Sequence, residues 1–165
     1  MSDPADGKTD EVLGMSSDVV ELLKDEYLHL QKTVEDFDQR TLTIKAWSVT
    51  TSMAGIAASF LHRDAAVISL LAALASLSFW MTEALWKEFQ QCYYPRIRYL
   101  EVAFSSGDTT QRPFQINKIW VQTYRSYNLR RYLQVALWLH VMFPHIFIIV
   151  FGIGIWIVRV LSHKS

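Results

Sequence analysis

The 165 residues amount to 19.1 kDa, the size of one domain or a small helical bundle. Sixteen basic residues balance sixteen acidic ones, which argues against a nucleic-acid binder held by its bulk charge. The single cysteine, Cys92, excludes an intrachain disulfide and reads as a small apolar side chain on a helix. In chain order, residues 1–17 form an acidic, polar tail in which Pro4, Gly7 and Gly14 oppose regular structure. A secretory signal needs a basic start followed by an apolar run, and this tail has neither. Asp18 followed by Glu21 predicts a helix start with a capping box. From there Val20, Leu23, Tyr27, Leu30, Val34, Phe37, Thr41 and Ile44 alternate spacings of three and four, a heptad seam. The spacing continues through Ser48, Thr51, Gly55 and Ala58, so one face changes from large residues to small ones. Gly55 and Ala58 are therefore read as helix-packing positions, since close backbone approach drives association in lipid. Such a face packs against the second helix of the same chain or against another subunit around a symmetry axis.

Fixed charge is unevenly spread. Residues 46–82 hold only Arg63 and Asp64, and residues 132–158 hold none. This predicts three membrane spans, at about 44–61, 65–82 and 133–158. Eighteen helical residues cover about 27 Å, enough for a thin hydrocarbon core. His62, Arg63 and Asp64 make the tight turn of a two-span hairpin, and Pro144 is a kink site in the third span. The second helix runs on as Leu85, Phe89, Tyr93, Ile97, Leu100 and Phe104, with Pro95 kinking it. Residues 105–112 form a loop by composition. Pro113 opens a third helix, with Ile116, Trp120, Thr123 and Tyr127 on one face, which leads into the third span. The expected fold is an all-α integral membrane protein of three long helices with cytoplasmic extensions. Residues 18–104 are its first piece and 113–165 its second.

Orientation follows from Lys and Arg. Residues 1–45 and 83–132 hold thirteen of the sixteen, while the rest are Arg63, Arg159 and Lys164. The N-terminus is expected in the cytoplasm and the C-terminus outside the inner (plasma) membrane. Trp47 and Trp86 mark the inner boundary and Trp156 the outer one. Residues 1–45 carry five basic and eleven acidic groups, and residues 83–132 eight and four. Opposite fields favour docking of these pieces.

Several side chains are candidates for function. Glu83 and Lys87, four apart, can pair on one helix face; alternatively, Glu83 repeated around an oligomer axis makes a cation-selective ring. His140 and His145 flank Pro144, and an imidazole in hydrocarbon faces protein or a water cavity. They are read as helix-to-helix hydrogen-bonding groups or as pore-lining ones. Five residues apart, they stand about 140° apart on a helix and cannot share one metal ion. Arg125, Arg130 and Arg131, among Tyr124, Tyr127 and Tyr132, suit anionic lipid headgroups. A specific phosphate site there lacks a Gly-rich loop. The sequence shows no catalytic set, cofactor motif or metal-ligand spacing, so an enzyme is not expected.

The stretch LLKDEYLHLQKTVEDFDQRTLTIKAWSVT, with a hairpin ending in FWMTEALWKEFQQCYYPRI, resembles the small prokaryotic membrane proteins of the SLATT type over roughly residues 18–104. The resemblance implies a cytoplasmic helix, a two-span hairpin and a pore-forming effector role in systems that damage the host membrane. It assigns no functional residues to this chain. The functional expectation is a homo-oligomeric membrane protein that forms or gates a pore. The alternative is a membrane-anchored scaffold or regulatory subunit that binds a partner protein through its cytoplasmic helices.

Overall fold

A computed structural model describes residues 6–61, 66–107 and 112–164. Every described element is an α-helix: α1 Asp6–Ala58, α2 Ala66–Gln91, α3 Tyr94–Ser106, α4 Ile116–Ser126, α5 Leu129–Ala136, α6 Leu139–Met142 and α7 His145–Lys164. The expected turn at 62–64, tail residues 1–5 and loop positions 108–111 lie outside the described residues. The helices form two compact units, one of Met1–Asp36 with Gln90–Ser126 and one of Phe37–Phe89 with Tyr127–Ser165.

In the first unit, Leu23, Leu30 and Val34 of α1 pack on Ile97 and Leu100 of α3, bordered by Tyr27, Tyr93 and Ile116. Helix α3 starts with Pro95 in its first turn, where a missing N–H costs nothing. It ends at Gly107, whose φ of 67° is left-handed and whose N–H bonds the Ala103 carbonyl. The kink expected at Pro95 is a two-residue turn at Cys92 and Tyr93, where Tyr93 keeps a right-handed backbone and α2 leads on into α3. Helix α1 begins at Asp6 rather than at Asp18. Adding turns to a formed helix is far easier than nucleating one, and this outweighs the cost of Gly7 and Gly14.

The buried face of α1 corrects the predicted seam. Leu23, Glu26, Leu30, Val34, Thr41, Ser48, Ser52, Ile56 and Ser59 are buried, whereas Val20 and Thr51 are exposed. These positions repeat every 3.6 residues, the period of a straight α-helix. A 3.5-residue heptad drifts off such a face by about 20° per repeat. The heptad reading is therefore right near Leu30 and one residue out near Ser52. Ala58 ends the helix half-buried, and Gly55 is at the edge of the packed face.

In the second unit, small residues set the helix separations. A Cβ on Gly55 would lie 3.1 Å from the Ala72 Cβ. A Cβ on Gly152 would lie 2.9 Å from the Ser69 carbonyl oxygen and 3.2 Å from the Ala73 Cβ. Ile56, Ala72 and Ile148 close a small apolar core beside them. The packing face of α1 is thus met by helices of its own chain.

Two of the described helical stretches are long and apolar enough to cross a membrane, Ala66–Ser106 and His145–Ser162, where three were expected. The 44–61 segment falls short because it carries Lys45 as well as Ser48, Thr50, Thr51, Ser52 and Ser59. The expected third long helix is also divided. Asn128 caps α5, accepting the Arg131 N–H at 3.0 Å. The Ala136 carbonyl takes a hydrogen bond from Trp80 Nε1 at 2.9 Å, and the helix turns there. Phe143 is extended before Pro144, as residues preceding proline must tend to be. The apolar run therefore begins at His145, which becomes a helix start and not a mid-span residue.

Candidate functional site

The second unit buries a polar cluster between α1, α2 and α7. Its centre is Glu83, which is fully buried. Lys45 Nζ approaches Glu83 Oε1 at 2.7 Å, with the lysine stem reaching in from a partly exposed position. His145 Nε2 lies 2.9 Å from Glu83 Oε2, and the imidazole is fully buried. Its other nitrogen, Nδ1, lies 2.8 Å from Ser48 Oγ. Ser76 Oγ donates to the His145 carbonyl at 3.3 Å and is 3.4 Å from Ser48 Oγ.

Local sequence explains each placement. Glu83 is seven residues beyond Ser76, two turns along one face of α2. Ser48 occupies the buried face of α1 set by the 3.6 period. Pro144 restarts the backbone so that His145 enters at the first position of α7. A neutral imidazole donates from Nε2 to the carboxylate and accepts the Ser48 hydroxyl at Nδ1. An imidazolium donates at both nitrogens, and Ser48 then turns its hydroxyl to Ser76. Both ring nitrogens therefore have a polar neighbour within hydrogen-bond distance, Glu83 on one side and Ser48 on the other. Its carboxylate is held by one ammonium and one imidazole, and the three helices are tied through it.

The structure brings together Glu83 and His145 of the three candidate pore-lining residues. His140 is apart from them, exposed, with its ring 5.5 Å from that of Trp138. It borders a groove of about 570 Å³ with Lys45, Val49, Thr50, Phe143 and Pro144. Although the residue is exposed overall, partial desolvation of its ring, then the Lys87 and Lys45 ammonium groups, hold the His140 imidazole below its ordinary value. Glu83 and Lys87 do not pair. Lys87 bonds Asp38 at 2.7 Å, while Glu83 turns inward to Lys45. Among the headgroup candidates, Arg125 and Arg130 are exposed. Arg131 instead stacks over Tyr127 at 5.5 Å and Trp138 at 5.7 Å, with Nε buried and without a hydrogen-bond partner. At the far end of the unit Arg159 Nη1 donates to the Ser59 carbonyl near the end of α1 and stacks over the Phe60 ring at 4.7 Å.

Sequence reasoning missed Lys45, Ser48 and Ser76 as partners of Glu83, and Gly152 as a packing residue. It also missed the Glu26–Arg96 pair of the first unit, whose two bonds measure 2.8 and 2.9 Å. The available signal was Glu26 itself, a charge three residues from Leu23 and four from Leu30 on the apolar seam. No family model, curated protein or solved structure matches this chain.

Proposed function

We propose that the chain is an integral membrane protein that acts as a membrane-anchored regulatory subunit, with its polar first unit as the binding part. One observation carries this reading: the second unit sorts its residues inside out relative to a water-soluble bundle. Ser48, Ser52, Ser59, Ser76, Glu83 and His145 are buried, whereas Val67, Leu71, Leu74, Phe147, Val150 and Val158 are exposed. An exposed apolar surface of this extent needs lipid or a partner, and polar groups in lipid need partners inside the protein. The same sorting supports a third crossing at 44–61. Its serines lower the average hydropathy, yet Ser48, Ser52 and Ser59 face inward while Trp47, Val49, Met53 and Phe60 face outward. With three crossings, the distribution of Lys and Arg puts the N-terminus in the cytoplasm and the C-terminus outside.

The polar groups that a pore wall requires are consumed within the chain at Glu83 and His145. This favours the regulatory reading over a conducting one. A ring of subunits remains the second reading, favoured by the exposed Thr50 and Thr51 hydroxyls on α1. The deciding experiment measures the mass of the purified protein in detergent together with conductance in planar bilayers. A monomer or dimer without conductance supports the regulatory subunit. A conducting ring whose current falls in Thr50→Val and Thr51→Val supports the pore and sinks the first reading. Sidedness is read separately. A reporter at Ser165 should be exported, and Ser105→Cys should react with an impermeant thiol reagent only after permeabilisation. Native Cys92 is buried and reports nothing about side.

A further inference from the structure

We propose that a cavity in the first unit binds a small phosphate-bearing organic anion. The cavity measures about 440 Å³, within the range of small-molecule sites and larger than a bare phosphate ion requires. Its lining among the described residues includes Arg96, Tyr99, Arg112, Gln115, Lys118 and Gln122, and no carboxylate. All of these belong to α3, α4 and positions 112–115, so the described lining lies within one unit.

The charge arithmetic selects the ligand. Arg96 is 2% exposed and its guanidinium is neutralised by Glu26 through bonds of 2.8 and 2.9 Å. It forms the floor and also binds the Arg112 carbonyl at 2.9 Å. Glu26 Oε2 takes the Phe114 N–H at 3.0 Å. That bond holds Phe114 at a left-handed φ of 63°, a conformation bulky residues rarely adopt. The buried pair therefore fixes the backbone of 112–114 and delivers the Arg112 side chain to the cavity. No carboxylate among the described residues pairs with Arg112 or Lys118. Two uncompensated cations match a phosphate monoester dianion, and a guanidinium suits it by its planar fork. The first turn of α4, which contributes Lys118 to this cavity, holds no acidic residue, so the positive end of the helix is not offset there. The Gln115 and Gln122 amides and the Tyr99 hydroxyl can satisfy the polar organic part.

The ligand's phosphate could belong to a soluble metabolite or to a lipid headgroup, and the test separates these sources. The full chain is placed in zwitterionic lipid nanodiscs and titrated calorimetrically with pyrophosphate and with a short-chain, water-soluble phosphatidic acid. The comparison protein is the double variant Arg112→Gln, Lys118→Gln, whose exposed positions leave the Glu26–Arg96 floor in place. Binding of either probe should weaken by roughly tenfold per cation removed and weaken with added salt. Pyrophosphate binding identifies a soluble source, and binding of the phosphatidic acid alone identifies a headgroup. Failure of both probes to bind the wild type would overturn the proposal, as would equal binding to the double variant while it melts at the wild-type temperature. A double variant that no longer folds is replaced by Arg112→Gln and Lys118→Gln singly, for which unchanged affinity has the same negative meaning.

Discussion

Each unit buries a glutamate, and the two are satisfied by different means. Glu26 is held by the planar fork of Arg96 and one backbone N–H, with both side chains of the pair almost wholly buried. Glu83 is held by Lys45, whose side chain is 21% exposed, and by one ring nitrogen of His145. The first arrangement joins two helices through one planar fork, and the second joins three through single contacts. Their surroundings differ in the same sense. Around Glu26 the core is Leu23, Leu30, Ile97 and Leu100, whose bulk supplies cohesion without help. Around Glu83 the helices meet through Ser, Gly and Ala, and the polar cluster provides much of what selects one packing. A buried pair adds position to a strong apolar core, whereas it helps define a core built of small residues.

That contrast sets an order of expected effects. Arg96→Met should be the most damaging, at about 3–5 kcal/mol, because it leaves the Glu26 carboxylate buried with a single N–H; chemical denaturation in detergent measures it. A loss below about 1 kcal/mol would mean that Glu26 reaches water. Glu83→Leu should cost less, about 1–3 kcal/mol. Lys45 can extend to solvent, and the imidazole N–H alone loses its acceptor. Equal losses at Glu83 and Arg96 would erase the distinction between the units.

Gly55→Leu should cost about 1–3 kcal/mol through overpacking against Ala72. Ala57→Leu, on an exposed position, should change thermal stability by less than about 0.5 kcal/mol. Similar melting temperatures for both would show that α1 and α2 do not meet at Gly55. The smallest effect belongs to His140. Its folded value is lowered from 6.5, so the unfolded chain binds a proton first as pH falls. The stability associated with the neutral ring is present above pH 6.5 and is lost below it, down to the folded value. His140→Gln should flatten that part of the pH–stability curve, as read by melts between pH 5 and 7.

The helical class was legible because periodicity and the absence of fixed charge are properties of composition along the chain. Leu23, Leu30 and Val34 were found for the same reason. The break at Pro144 was marked by its residue type. The turn after Ala136 was not, because no Gly or Pro lies there and the competing bond comes from Trp80, 56 residues away. Glu83 and His145 each stood out as polar groups in apolar surroundings. Their meeting could not be read, since it depends on α7 restarting at His145 and on α1 turning Ser48 inward. The heptad reading failed towards Ser52 for a geometric reason: a small error in period accumulates with length.

The inward serines of α1 also bear on how the protein is made. Before its neighbours are present, the 44–61 segment would offer the bilayer Ser48, Ser52 and Ser59 with only its own carbonyls as acceptors, as Ser59 already uses that of Ile56 at 2.6 Å. Lys45 would then enter without Glu83. Such a segment is a poor substrate for insertion on its own. In the proposed three-crossing arrangement, α2 brings Ser76 and Glu83 as partners for Ser48 and Lys45, and these two helices would then leave the insertion machinery as a pair.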